Sequence, residues 1–324
     1  MATDPPAIAV FVGIDVSAAR LDLSRSIDPA VSHSFNNDPQ GIAQIIAMLK
    51  PLGPQLKLIV VESTGKLEQP LLLALLDAQL PVARVDPKRV RLFAYGIGQL
   101  AKTDPIDARV LMRFAELAAP RLTEKQAQNR AELAELLTCR MQLIDTRIVH
   151  QNQLSRTTSR IAQKHLESVL DHLKRRIEQL EQQIQRIVDH DDDMRGLDQL
   201  LRSFKGVGPI LAATLISQLP ELGKLSHSQL TALVGLAPYN RDSGTYSGKR
   251  SIRGGRPRVR KILYMCTVSA LRHNAVLKQT YQRLRAAGKL AKVAITACAR
   301  KFLRILNAMV RDRRVWTPPP ALEA

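Results

Sequence analysis

Cysteine is scarce. The 324 residues contain three, Cys139, Cys266 and Cys298, far apart and with no CxxC pair. That excludes a disulfide framework and a cysteine-rich zinc module, and it points to a reducing, cytoplasmic compartment. Aromatic residues make up only 4% of the chain, one Trp, five Tyr and six Phe, so platforms for stacking single-stranded bases are few. No stretch approaches the roughly 18 consecutive apolar residues of a membrane span. The first apolar run, Ala7 to Ile14, is short, follows no basic segment and stops at Asp15, so a secretory leader is not expected either. What the chain does hold is 45% hydrophobic and 24% charged residues, enough at this length for one core and room for two.

The formal charge of +19 is unevenly spread. Residues 1–120 balance at zero and residues 121–195 carry +1, leaving +18 for residues 196–324. A segment this basic repels itself unless it meets a polyanion, and neutralising phosphates with release of their counterions is the usual gain. Packing proteins of ribosomes or nucleoids share the property, so charge alone specifies nucleic acid and nothing finer.

Ala7–Ile14, Arg20–Ile27 and Val31–Phe35 read as strands. A helix over Pro39–Leu49, a strand Leu56–Val61, a helix Leu67–Leu80, a strand Val82–Val85 and helices through Leu117 follow. Three antiparallel strands and then alternating helices and strands is the order of a ribonuclease-H-like layer fold, an α/β domain. From Leu166, the residues Leu170, Leu173, Ile177, Leu180, Ile184 and Ile187 recur in steps of four and three, a coiled-coil seam. Leu133, Leu137, Ile144 and Ile148 mark a matching helix upstream, so the arm is an antiparallel hairpin or a dimerising element. The acidic run around Asp189 and Asp191–Asp193 reads as a solvated helix end before Gly196. The last third is helical. Its Phe204-Lys205-Gly206-Val207-Gly208-Pro209 turn suits a helix-hairpin-helix that would offer backbone N–H groups at Gly206 and Gly208 to phosphate, or a plain tight turn between helices. Pro318, Pro319 and Pro320 end the fold. The expected division is 1–121 for the α/β domain, 122–195 for the helical arm and 196–324 for the basic, mainly helical domain.

Asp15 ends the first strand and Glu62 the strand Leu56–Val61, which would be neighbours in such a sheet. Asp104 and Asp107 lie three apart at a helix start, on one face. Ionised together, four such acids repel one another, so the cluster is stable near neutral pH with divalent cations among its oxygens. Two magnesium ions about 4 Å apart would stabilise both the attacking and the leaving oxygen of a phosphodiester displacement. Each acid also has a plainer use: Asp104 before Pro105 suits a helix N-cap, Asp107 favours the helix dipole, and a strand-end acid is often a turn residue.

A second constellation occupies 237–261. Arg241, Lys249, Arg250, Arg253, Arg256, Arg258, Arg260 and Lys261 surround a single acid, Asp242, and are candidate nucleic-acid contacts. Gly244, Gly248, Gly254 and Gly255 would let backbone approach a phosphate. A serine there would gain stabilisation for an attacking alkoxide. Ser243 is the candidate nucleophile, with Ser247 and Ser251 as competitors and an ordinary Ser-Gly turn as the plain alternative.

As a set, Gly13-Ile14-Asp15-Val16-Ser17, Val61-Glu62-Ser63-Thr64-Gly65, Lys102-Thr103-Asp104-Pro105-Ile106-Asp107-Ala108, Gly206-Val207-Gly208-Pro209, Gly235-Leu236-Ala237-Pro238, Asp242-Ser243-Gly244, Gly248-Lys249-Arg250 and Gly254-Gly255-Arg256 resemble the insertion-sequence 110 family of RNA-guided recombinases, the group related to the Piv and MooV DNA invertases. The likeness covers almost the whole chain. It implies a RuvC-like N-terminal domain whose Asp15, Glu62, Asp104 and Asp107 hold magnesium, a coiled-coil arm, and a transposase domain whose Ser243 attacks DNA to form a phosphoserine link. It further implies donor and target DNA, a structured non-coding bridge RNA as guide, and self-association to a dimer or tetramer in which the acids of one protomer meet the serine of another. Two other readings stand beside it. One is a RuvC-like magnesium-dependent junction nuclease with water as nucleophile; the other is a non-catalytic nucleic-acid scaffold.

Overall fold

The computed structural model describes residues 9–101, 103–125, 127–240, 242–244, 248 and 250–317. The chain forms two compact units, Met1–Lys125 and Gln126–Ala324.

In the first unit, β1 (Val10–Val16) is the central strand of a five-stranded sheet. It pairs antiparallel with β2 (Arg20–Arg25), which pairs antiparallel with β3 (Ser32–Asn36). After α1 (Pro39–Leu49) and a short 3₁₀ segment, β4 (Leu56–Glu62) pairs parallel on the other side of β1, with Ile14 opposite Val61. After α2 (Gln69–Asp77), β5 (Val82–Val85) closes the order β3-β2-β1-β4-β5. This is a ribonuclease-H-like topology, the mixed sheet expected from the element order. Val10, Val12, Ile14 and Val16 point to one face and are buried with α1 and α2. The other face meets α3 (Pro87–Gly96) and α4 (Asp104–Ala118) over Val60, Val90, Leu111 and Phe114. Burial on both faces explains why β1 and β4 read as nearly continuous apolar runs.

Two details differ from expectation. β1 continues through Val16, so Asp15 lies inside the strand and pairs with Asp22 of β2 rather than terminating it. α2 begins at Gln69 and ends at Asp77, shorter than the apolar run suggests, because Lys66 and Gln79 take left-handed backbone conformations at its flanks.

The second unit opens with α5 (Gln128–Leu154) and α6 (Arg160–His190), packed along each other as a hairpin. Leu173, Ile177 and Ile184 of the heptad seam are buried, and Arg140 Nε donates to Glu181 Oε1 at 2.8 Å across the pair. Asp191 ends α6 and caps α7 (Asp192–Arg202), accepting from the Met194 N–H at 3.0 Å. Gly196 therefore lies within a helix and not beyond one. α8 (Pro209–Gln218), α9 (His227–Val234), the two-stranded hairpin β6 (Pro238–Tyr239) and β7 (Ser251–Ile252), α10 (Pro257–Ala270), α11 (Ala275–Ala286) and α12 (Ala291–Asp312) complete it. The base of the α5–α6 hairpin joins their core through Leu133, Leu137, Ile184 and Val188. Phe204 stacks on Phe302 and meets the Trp316 ring at a tilt of 59°, both ring centroids at 4.9 Å. No described helix is long and apolar enough to cross a membrane.

Candidate active site

Asp15 follows the face alternation of β1 onto the α4 side. What lets α4 come close enough to matter is Gly13, two residues earlier on the same face: a Cβ there would lie 2.2 Å from the Ala108 carbonyl oxygen and 2.2 Å from the Met112 nitrogen. The missing side chain brings the first turn of α4, with Asp104 and Asp107, up to Asp15. Asp104 is the first residue of α4, and Thr103 occupies the cap position, so the capping explanation for Asp104 does not apply. Gly13→Ala is expected to push α4 off the sheet, costing about 1–3 kcal/mol. Thermal melting checks this; an unchanged melting temperature would show that α4 does not depend on the missing side chain at Gly13.

Glu62 is the last residue of β4. The turn after it is pinned from both sides: Ser63 N–H donates to the Val85 carbonyl at 3.0 Å, and Thr64 N–H donates to Glu68 Oε2 at 3.0 Å. Glu68 is 2% exposed and faces the Arg84 guanidinium at 3.5 Å. Asp15, Glu62, Asp104 and Asp107 all line one cleft of about 580 Å³. Burial, then the carboxylates of Asp107 and Asp104 and more weakly Asp22, push the Asp15 carboxyl up from 3.8 to about 6, against the Val16 N–H that favours its charge. Asp22 is a buried acid that the sequence pattern did not single out; its signal is the alternation Leu21-Asp22-Leu23, which sets it on the face opposite the two leucines and opposite Asp15 in register.

The donor set is all carboxylate, the chemistry hard divalent cations prefer. Among the described residues no three His, Cys, Asp or Glu side chains are gathered closely enough to hold an ion as they stand. The four acids thus share a cleft without closing on one point.

In the second unit, Ser243 is exposed on the segment joining β6 to β7, next to Gly244, whose φ is +54°. Asp242 Oδ1 accepts from the Gly248 N–H at 3.2 Å. Ser251 lies in β7, paired with Tyr239. Arg241, Ser247 and Lys249 fall outside the described residues, as do Pro318–Pro320. The base of the hairpin is held by backbone packing: a Cβ on Gly255 would lie 2.3 Å from the Gly235 nitrogen, and Arg260 Nη1 donates to the Gly254 carbonyl at 2.6 Å and the Val234 carbonyl at 3.2 Å.

Several of the candidate nucleic-acid residues also have partners within the unit. Arg256 makes a two-point pair with Glu221, 2.6 Å for each contact, and donates to the Gln218 carbonyl at 2.8 Å. Arg258 Nη1 reaches Thr138 Oγ1 at 2.7 Å, and Lys261 pairs with Asp145 at 2.8 Å. Arg250 and Arg253 are exposed, the latter 5.2 Å over the Tyr239 ring. Gly206 has φ +121° and a Cβ there would lie 2.6 Å from that of Ala270, so its glycine is required by packing against α10. Gly208 occupies the N-cap position of α8. Replacing Arg256 with Ala is expected to cost about 2 kcal/mol, since it strands charged hydrogen-bond partners. Chemical denaturation checks this; an unchanged midpoint would mean the Glu221 pair carries no stability.

Residues 12–162 match the DEDD transposase domain of IS110 elements, and residues 198–282 match the transposase domain of the IS116/IS110/IS902 family. The chain belongs to the IS110 family of transposases and recombinases. This IS110-family chain is 25% identical over 325 residues to the pilin gene-inverting protein of Moraxella bovis, covering 94% of this chain and 96% of that protein. It is 32% identical over 145 residues to the IS116 uncharacterized 44.8 kDa protein of Streptomyces clavuligerus, covering 42% of this chain and 36% of that one. Among solved structures, the Thermus thermophilus RuvC bound to a Holliday junction aligns over 36% of this chain and 99% of its own, with 14% identity and a TM-score of 0.27. DNA recombinase or transposase activity is the family's enzymatic class.

Proposed function

We propose that the protein is a DNA recombinase guided by a structured RNA, which cuts and rejoins donor and target strands through a phosphoserine intermediate at Ser243. The observation that carries this reading is the acidic cleft, where four carboxylates from β1, β4 and α4 line one cavity. Asp15, Glu62, Asp104 and Asp107 would hold magnesium, which supplies Lewis-acid stabilisation of phosphodiester oxygens. Ser243 Oγ bonds to the phosphorus as one sugar–oxygen ester bond breaks. The hydroxyl proton leaves Oγ, and the departing sugar oxygen takes up a proton. Reversal by a new sugar hydroxyl re-forms the phosphodiester and returns the serine, so no external energy source is consumed. The paucity of aromatic residues and the +18 charge of residues 196–324 suit a protein that holds backbone and leaves sequence reading to paired RNA. Assembly of acids and serine from different protomers gives the apolar residues still exposed on the arm, Ile148, Val149 and Ile161, a use in self-association.

The test combines purified protein, two plasmids carrying donor and target sites, and the transcript of the DNA flanking the reading frame. Recombinant joints are expected only with both the transcript and magnesium present. Joints formed equally well without RNA would refute the guided part of the reading.

A further inference from the structure

The acidic cleft has a second wall of opposite charge. Pro87, Lys88, Arg91 and Ala94 of α3 line it together with the four acids. Val90 and Ala94 are buried in the core beneath, which fixes the rotation of α3 about its axis, and Lys88 and Arg91, three apart, fall on one face. Arg91 is half-buried and held in place: its Nη2 donates to the Leu100 carbonyl at 3.3 Å, and its guanidinium stacks 4.6 Å from the Tyr95 ring centroid. Lys88 is exposed, and its ammonium has no carboxylate partner among the described residues.

Residues 1–120 carry no net charge, so these cations are not the by-product of a generally basic surface, as they would be in the last third. A cleft of acids alone attracts metal ions and repels the polyanion that must reach them. Cations on the facing wall remove that conflict, because phosphates flanking the reacting one can rest on them while it faces the carboxylates. A guanidinium already anchored at one end suits a planar two-point grip, and a mobile ammonium supplies a point charge.

We infer that Lys88 and Arg91 hold the backbone of the DNA strand whose reacting phosphate faces Asp15, Glu62, Asp104 and Asp107. This rests on the acid-site reading above.

The test uses the full-length protein, with calcium replacing magnesium to permit binding without cutting, and a fluorescein-labelled 40-base-pair DNA duplex as probe. Binding is followed from about 50 to 200 mM salt for wild type, Lys88→Ala, Arg91→Ala and Arg91→Lys. Each Ala variant is expected to flatten the slope of log affinity against log salt by about 0.9 and to bind several-fold more weakly. Arg91→Lys keeps the charge and should retain most of the slope. Unchanged slopes in both Ala variants, or a loss seen with an RNA hairpin and not with DNA, would overturn the inference. Should Arg91→Ala not fold, Lys88→Ala and Arg91→Lys still decide it. Magnesium-dependent cutting by Asp104→Asn is measured alongside. Retained cutting there removes the acid-site reading itself, whereas lost cutting with unchanged slopes removes only the role of α3.

Discussion

Ser243→Ala is expected to form no covalent protein–DNA adduct and to reduce recombination to background, while melting within about 0.5 kcal/mol of wild type. The small stability effect follows from position: Ser243 is exposed, and the hydrogen bond that joins Asp242 to Gly248 does not use its side chain. The large activity effect follows from the proposed covalent step, which would have no substitute atom once Oγ is gone. Adducts are read as detergent-resistant, nuclease-trimmed species on a gel. Normal adducts from Ser243→Ala would transfer the role to another hydroxyl, with Ser247 and Ser251 next in line.

Asp15→Asn is expected to reduce magnesium-dependent cutting on the order of 10³-fold while raising the melting temperature at pH 8 in the absence of divalent cations. The Asp15 carboxyl in the folded protein titrates near 6, above its usual 3.8, because it is buried beside Asp107 and Asp104. The folded state therefore binds that proton more tightly than the unfolded chain. The resulting stability is fully present below about pH 4 and is lost as pH rises through 6. Wild type should accordingly melt lower at pH 8 than at pH 5, and the Asn variant should flatten that part of the profile. Added magnesium should raise the wild-type melting temperature at pH 8 and act much less on the variant. A variant that melts lower at pH 8 and responds equally to magnesium would show that Asp15 is neither under electrostatic strain nor part of a cation site.

The first unit was legible because its pattern is redundant. The run Ala7–Ile14 is nearly continuous apolar sequence, the pattern of a strand covered on both faces, and an acid after Gly13-Ile14 is then confined to one of two faces. The contribution of Gly13 was hidden because its purpose is the absence of a side chain against α4, a long-range contact that local pattern does not encode. Asp22 escaped notice for a related reason, since its importance comes from the register that sets it opposite Asp15. Glu68 is buried through a turn closed by Thr64, and nothing in its own neighbourhood announces that. In the basic segment, composition counts charges but not their partners. Arg256 and Arg260 look like phosphate ligands in the sequence, yet each is engaged by Glu221 or by carbonyls of the same unit. The heptads of α6 were readable, but spacing is the same for a hairpin and a dimer, and only the packing of α5 along α6 shows the former within one chain.

The most direct test of the proposal that the carboxylates of one protomer serve the serine of another is a mixing experiment. Asp15→Asn protein carrying a size tag is combined with untagged Ser243→Ala protein, with magnesium, guide transcript and labelled DNA. Neither variant alone should form adducts. In the mixture, the tagged Asp15→Asn chain should become covalently joined to DNA, because its serine is now served by intact acids on a neighbour. Abundant adducts from wild type, with none from the mixture even after the two variants are shown to co-assemble, would contradict a shared site and confine the chemistry to a single chain.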